Sequence, residues 1–279
     1  MKTTIALVQF KPKLSSFEES FKRAEQFIKQ AKKEKADIIC FPESSITGPT
    51  DYYELDDINY ITNNLPTLYK STFKTLSKKY DIAIIAGTIE EKLNNNKIVN
   101  RCYIFDKGKI VYHYDKIHLF SSEKGSVTPG KDYPSVISIR GVRVAVAICK
   151  DLFYPELFQK LSKEGAQMVF VPSMWSAYSY LYEAQNNLVK NYKIKLQSNK
   201  LTKVMGESRA LENGIFLAFV NCCGSLKQRQ DYDVFLGKSF IASPIEGIVC
   251  KTNYLNEEVL LIKTLDLKAT EDSKIIYDL

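Results

Sequence analysis

Apolar residues alternate or run unbroken over short stretches of this chain, and between those stretches they take up helical spacing. TTIALVQF reads as a strand. From Ser16 to Ala36 the apolar positions Phe17, Phe21, Ala24, Phe27, Ile28 and Ala31 mark one helix face, with Ser16 and Glu19 placed for a capping box. DIICF is a second strand. Leu65 to Lys79 is a second helix, with Leu65, Tyr69, Phe73 and Leu76 on one face, and IAIIAGTI is a third strand. The pattern is β-α-β-α-β.

An antiparallel stretch follows, because IVNRCYIF and IVYHY are separated by the turn-like Asp106-Lys107-Gly108-Lys109. SVISI and VRVAVAI pair around Arg140-Gly141, and a helix is expected over Tyr154 to Glu164. QMVFVP is another strand, and Trp175 to Glu212 is long, polar and mainly helical, ended by Gly214. IFLAFV, KSFIA and IVCK, the last two joined by a turn at Pro244 to Gly247, complete the strand set. EEVLLIKTLDL then leads into a C-terminal extension over 264–279. No repeat, low-complexity tract or linker interrupts the chain, so we expect one domain over 1–279. Its class is α/β, with two sheets packed face to face and helices outside; continuous apolar strands such as VAVAI would be buried on both faces.

Composition narrows the partners. With 279 residues, 45% of them apolar, the chain can bury a substantial core. A net charge of +7 from 39 basic and 32 acidic residues describes a mixed, lysine-rich surface. The basic residues are scattered and no aromatic-basic string occurs, so no nucleic-acid partner is expected. MKTTIALVQF holds too short an apolar stretch for a secretory segment, and no run approaches a membrane span, which points to a cytoplasmic protein without a membrane partner. The six cysteines show no CxxC and no metal-ligand spacing, so reduced thiols and no metal site are expected.

One cysteine stands apart. Cys149 follows the apolar run Val142 to Ile148, at a strand end where a nucleophile would be exposed. Glu43 lies just beyond IICF, and Lys116 just beyond YHY. Hydrolysing an amide without a metal needs a nucleophile, a group to move protons, and a positive or donor-rich site for the developing oxyanion. A thiolate fits the first role. A carboxylate whose pKa is raised by lost hydration fits the second. A fixed ammonium fits the third, together with the backbone N–H of Lys150. On residue chemistry alone, Cys149 reads equally as a core thiol, Glu43 as a cap and Lys116 as one of many surface lysines.

These segments resemble those of the nitrilase superfamily, the carbon–nitrogen hydrolases. FPESSITG is similar to that family's glutamate motif, YDKIHLF to its lysine motif and CKDLFYPE to its cysteine motif, in the family's order. SRALENGIFLAFVNCCG and GKSFIASPIEG resemble its later segments, so the likeness runs from about Thr3 to Lys263. The resemblance implies Glu43 as general base, Lys116 as stabiliser of the oxyanion and Cys149 as nucleophile. It also implies a second glutamate, Glu123 in EKGSVTPG, that orients Lys116 or the substrate nitrogen. Further implications are a four-layer αββα sandwich, no cofactor, and assembly into a homodimer or larger homo-oligomer.

The implied activity is hydrolysis of a non-peptide carbon–nitrogen bond in a small amide or N-carbamoyl compound, through an acyl-enzyme and with release of ammonia. Nitrile hydrolysis by the same triad, or a non-catalytic partner-binding role, are the alternatives. Family nitrilases commonly carry Trp-Glu directly after the cysteine, where this chain has Lys150-Asp151, which favours amides or carbamoyl compounds. Several acid-handling members carry arginine where Phe153 stands, so a substrate carboxylate would need Lys150 or Arg209 instead. Tyr52, Met174 and Trp175, with Lys150 and Phe153, are the candidate substrate-binding residues. Tyr178, Tyr180 and Tyr182 read as pocket or oligomer interface. His113 and His118 flank Lys116 but are an odd number of positions apart, so in a strand they face opposite ways. A Cys-His mechanism or a zinc pair is therefore disfavoured.

Overall fold

The computed structural model describes residues 1–176, 198–228, 231–253 and 256–279. In chain order the strands begin with β1 (Lys2–Gln9), β2 (Ile38–Cys40), β3 (Ala83–Lys92), β4 (Ile98–Asp106) and β5 (Lys109–Asp115). Next come β6 (Ile137–Ile139), β7 (Val142–Val146), β8 (Met168–Ser173) and β9 (Phe216–Asn221). A short ribbon, β10 (Ser225–Gln228) and β11 (Asp231–Val234), precedes β12 (Phe240–Ser243), β13 (Gly247–Lys251) and β14 (Val259–Asp266). One six-stranded sheet has the order β14-β1-β2-β3-β4-β5, and the other β13-β12-β9-β8-β7-β6.

Strand periodicity explains the layering. Ile5, Leu7, Ile38 and Cys40 point into a core shared with Val144, Val146 and Phe170 of the second sheet. Their neighbours Ala6, Val8, Ile39 and Phe41 point the other way, onto Phe21, Ala24 and Ile28 of helix α1 (Phe17–Lys33) and Tyr69 and Phe73 of α3 (Leu65–Lys79). Fully burying such a Phe or Ile contributes about 1.5–3 kcal/mol, so these faces hold the helices to the sheet. On the far side, α4 (Pro155–Lys163) buries Leu157, Phe158 and Leu161, and the helix Ser198–Asn213 buries Ala210. The layers are helix, sheet, sheet, helix: an αββα sandwich.

Several sequence expectations are corrected. Ser16 makes no side-chain cap, and Glu19 pairs with Lys13 instead. A helix not foreseen, α2 (Leu55–Asn63), occupies part of the segment after the glutamate motif; only Ile61 and Thr62 of it are buried, too few to show a period. Val259–Asp266 is a strand antiparallel to β1, so the chain beyond residue 264 opens as an edge strand, and the helix Lys268–Tyr277 follows it. Its Lys263 and Thr264, on opposite faces of the strand, are both exposed and mask the alternation. Trp175 lies in non-helical chain beside the bridge Ser176–Phe235, and the expected helix begins, among the described residues, at Ser198. Tyr178, Tyr180 and Tyr182 lie outside the described residues.

The topology brings distant segments to one edge. β1, β2 and β3 run parallel, as do β7, β8 and β9, so each triple ends its strands on one side. β5 is antiparallel to β4, which is antiparallel to β3, so β5 ends on the same side as β2. Open parallel sheets place their chemistry at this edge.

Candidate active site

Glu43, Lys116 and Cys149 follow the ends of β2, β5 and β7. Each is held by a backbone device. The Pro42 carbonyl packs against Gly87, at φ +77°, where a Cβ would lie 2.0 Å from it. Ser44, directly after Glu43, has φ +47° and donates its N–H to Thr88 Oγ1 at 3.1 Å. Lys116 donates its N–H to the Asn100 carbonyl at 2.9 Å and accepts from Gly130 N–H at 2.8 Å. A Cβ on Gly130 would lie 2.2 Å from the Asp115 carbonyl, so only glycine permits this approach.

Cys149 opens the turn Cys149–Phe153 with φ +45°, an uncommon conformation for a residue bearing a side chain. The carboxylate of Asp151 holds that turn. It accepts from Ile148 N–H at 2.8 Å, Tyr114 O–H at 2.8 Å, His118 N–H at 3.2 Å and His118 Nδ1 at 2.7 Å. A carboxylate only accepts, so Nδ1 of His118 carries the hydrogen. The His118 ring stacks on Tyr154, with centroids 3.3 Å apart. His113 lies instead on the exposed side of β5, beside Tyr103.

The functional groups converge. Lys116 Nζ donates to Glu43 Oε1 at 2.8 Å and to Glu123 Oε2 at 2.6 Å. Asn100 Nδ2 donates to Glu43 Oε1 and to Glu123 Oε1, each at 2.9 Å. Glu43 Oε2 accepts from Met174 N–H at 3.1 Å. The Cys149 thiol lies beside the Glu43 carboxyl, the Lys116 ammonium and the Met174 backbone. Only 2% of Lys116 and 3% of Glu43 is exposed, which leaves the cluster almost entirely out of water.

Burial sets the proton affinities. It raises the Glu43 carboxyl above its ordinary range, against the pull of Lys116 and with a further push from Glu123. It also raises the Cys149 thiol well above its ordinary value, reinforced by Glu43 and opposed by Lys116. Burial would lower the Lys116 ammonium, but Glu123 and Glu43 reverse this and hold it charged. Cys149 is therefore held as a thiol, beside the Glu43 carboxyl and the Lys116 ammonium.

The candidate substrate-binding residues fall around this cluster. Met174 and Trp175 follow β8, and Trp175 N–H is fixed by Asn221 Oδ1 at 2.8 Å. Phe153 stacks on Trp175 with centroids 5.3 Å apart and is 37% exposed, at the outer end of the pair. Lys150 places its ammonium 5.1 Å from the ring centres of both Phe153 and Phe120, and Phe120 N–H donates to Glu123 Oε2. Tyr52 lies in the turn Thr50–Tyr52, partly buried. Arg209 pairs with Glu212 on the helix Ser198–Asn213. Among the described residues no His/Cys/Asp/Glu group could hold a metal ion, and no helix is long and apolar enough to cross a membrane.

Three contributors were not anticipated: Asn100, Asp151 and Glu90. Asn100 follows the same inward period as Cys102 and Ile104 on β4, so a polar residue on an apolar strand face was the available signal. Glu90 pairs with it across β3–β4 and is 8% exposed. Burial pushes its carboxyl up to about 7, although Thr50 Oγ1 donates to it at 2.5 Å. Asp151 carried no signal beyond its place in CKDLFYPE.

Comparison with known proteins agrees with the αββα sandwich. The family model for carbon-nitrogen hydrolases matches residues 4–275. The chain belongs to the carbon–nitrogen hydrolase family. It is 28% identical to the 2-oxoglutaramate amidase of Bacillus subtilis over 275 residues, covering 98% of this chain and 94% of that one. Its fold is shared with a carbon-nitrogen hydrolase from Helicobacter pylori G27, at a TM-score of 0.86 and 20% identity over 99% of this chain and 93% of the other. It is also shared with a mutant amidase from Nesterenkonia sp. AN1, at a TM-score of 0.78 and 19% identity over 99% and 96%. That amidase shows covalent addition of the acetamide moiety of fluoroacetamide at its active site cysteine.

Proposed function

We propose that the protein hydrolyses the carbon–nitrogen bond of a small linear amide through an acyl-thioester on Cys149, releasing ammonia. The observation that carries this reading is the burial of the Cys149 thiol beside Glu43, whose carboxyl shares the Lys116 ammonium with Glu123. Glu43 takes the thiol proton as sulfur attacks the amide carbonyl, and the oxyanion forms beside Lys116. Glu43 then gives that proton to the nitrogen, the C–N bond breaks and ammonia leaves. A water attacks the thioester and Glu43 accepts its proton, then passes it to sulfur as the C–S bond breaks, which releases the carboxylic acid and restores the free thiol.

Glu123 keeps Lys116 oriented and charged, while Phe153, Trp175 and Met174 form an apolar wall with Lys150 at its edge. The amidase name of the Bacillus relative, with Lys150-Asp151 rather than Trp-Glu after the cysteine, supports an amide. The test is ammonia release from linear amides, ω-amides, N-carbamoyl compounds and nitriles, with carbon dioxide measured alongside. Ammonia from amides without carbon dioxide, lost in Cys149→Ala, is the expected result. Release of both gases would move the assignment to N-carbamoyl compounds, and silence across the panel would overturn it.

A further inference from the structure

Asn100 touches every charged member of the cluster. Its side chain, buried within β4, donates one N–H to Glu43 and the other to Glu123, while its backbone carbonyl receives the Lys116 N–H. Lys116 Nζ bridges the same two carboxylates, so four groups close a ring. The orientation of the amide follows from chemistry: reversed, its oxygen would face two carboxylates that can only accept. Its carbonyl oxygen is buried and has no hydrogen-bond partner among the described residues, so the side chain's hydrogen bonds go only to the two acids.

The ring holds two carboxylates and one ammonium, an excess of one negative charge. Groups from every surrounding element bear on it: Glu90 of β3, Lys116 after β5, Glu123 of the turn Ser121–Glu123, Cys149 after β7, and Cys222 after β9, whose sulfur meets the Glu43 carbonyl at 3.4 Å. In such surroundings one carboxylate would readily take up a proton, and a protonated Glu43 cannot accept the thiol's. Donors aimed at the ionised oxygens oppose this.

We propose that Asn100 is a positioning residue that fixes Glu43 and Glu123 on either side of Lys116 and so keeps Glu43 ready to accept a proton. The inference rests on the reading of Glu43 as the base. Holding Oε1 of Glu43 between Asn100 and Lys116 turns Oε2 toward the Met174 N–H, on the side of the Cys149 thiol. Loss of the amide donor to Glu43 favours its protonated form, so the enzyme should need a higher pH to reach its active form.

The test is the pH profile of kcat/KM for wild type, Asn100→Leu, Asn100→Ser and Glu43→Gln, with the pH dependence of Cys149 alkylation by iodoacetamide as a substrate-free readout. The expected result is an acidic limb moved upward by about one pH unit in both Asn100 variants, a roughly tenfold loss below it that recovers at alkaline pH, and little change in KM. Glu43→Gln should be inactive throughout. An unmoved acidic limb in folded Asn100 variants, with Glu43→Gln dead, overturns the role of Asn100 alone. An active Glu43→Gln with the wild-type limb overturns the underlying base assignment. If neither Asn100 variant folds at any pH, its role is structural and the proposal fails.

Discussion

Replacing Lys116 by methionine removes the charge shared by the buried Glu43 and the partly buried Glu123, and keeps most of the apolar stem in place. Breaking a buried ion pair by removing one partner costs about 3–5 kcal/mol, because the remaining charge is left uncompensated. Here two acids lose their cation, while Asn100 still donates to both. A loss of about 4 kcal/mol at pH 8 follows, which lowers the urea midpoint by on the order of 1–2 M. Trp175, the single tryptophan, sits in the site wall and reports unfolding by its fluorescence.

The pH dependence has a definite sign. Burial already holds the folded-state pKa of Glu43 above its unfolded value, and without the opposing Lys116 it lies further above. Stability from proton uptake is then full below the unfolded value and is lost as pH rises through the folded one. The variant should therefore stand closer to wild type at pH 5 than at pH 8. Equal midpoints at pH 8, or the same deficit at both pH values, would refute the claim that this ammonium compensates the two acids.

Three further outcomes are expected. The Glu90 carboxyl, raised by burial from 4.5 to about 7, contributes stability that is full below about 4.5 and lost as pH rises through 7, so Glu90→Gln should remove about 3 kcal/mol of pH dependence from urea unfolding. Gly87→Ala puts a Cβ against the Pro42 carbonyl at positive φ; a loss of about 2–3 kcal/mol in thermal unfolding, with a fall in kcat from the displaced Glu43, is expected. Asp151→Asn replaces one of two accepting oxygens by a donor facing other donors, which loosens the turn bearing Cys149; kcat should fall on the order of 100-fold while near-UV circular dichroism shows a folded protein.

Much of the sheet framework was legible because its strands are apolar runs bounded by turn residues. The hairpin around Gly108 and the β-α-β-α-β start read directly from local pattern. What escaped depends on partners far along the chain. β14 pairs with β1 across more than two hundred and fifty positions, and nothing local marks it as a sheet member. The convergence of Glu43, Lys116 and Cys149 could be expected from motifs following strand ends. Their support by Asn100, Asp151 and Glu90 could not, since a lone polar residue in a strand does not reveal what faces it. The glycine contacts beneath Pro42 and Asp115 were equally hidden, because a close approach belongs to the packed backbone rather than to spacing.

The account's central claim is that Cys149 carries the substrate's acyl group during turnover. Acid-quenched protein, taken within the first turnovers of an active amide and digested for mass spectrometry, should carry the acyl mass on the peptide containing Cys149, formed in step with a burst of ammonia. Ammonia formed at the wild-type rate with that peptide unmodified, or with the acyl group on another cysteine, would contradict it.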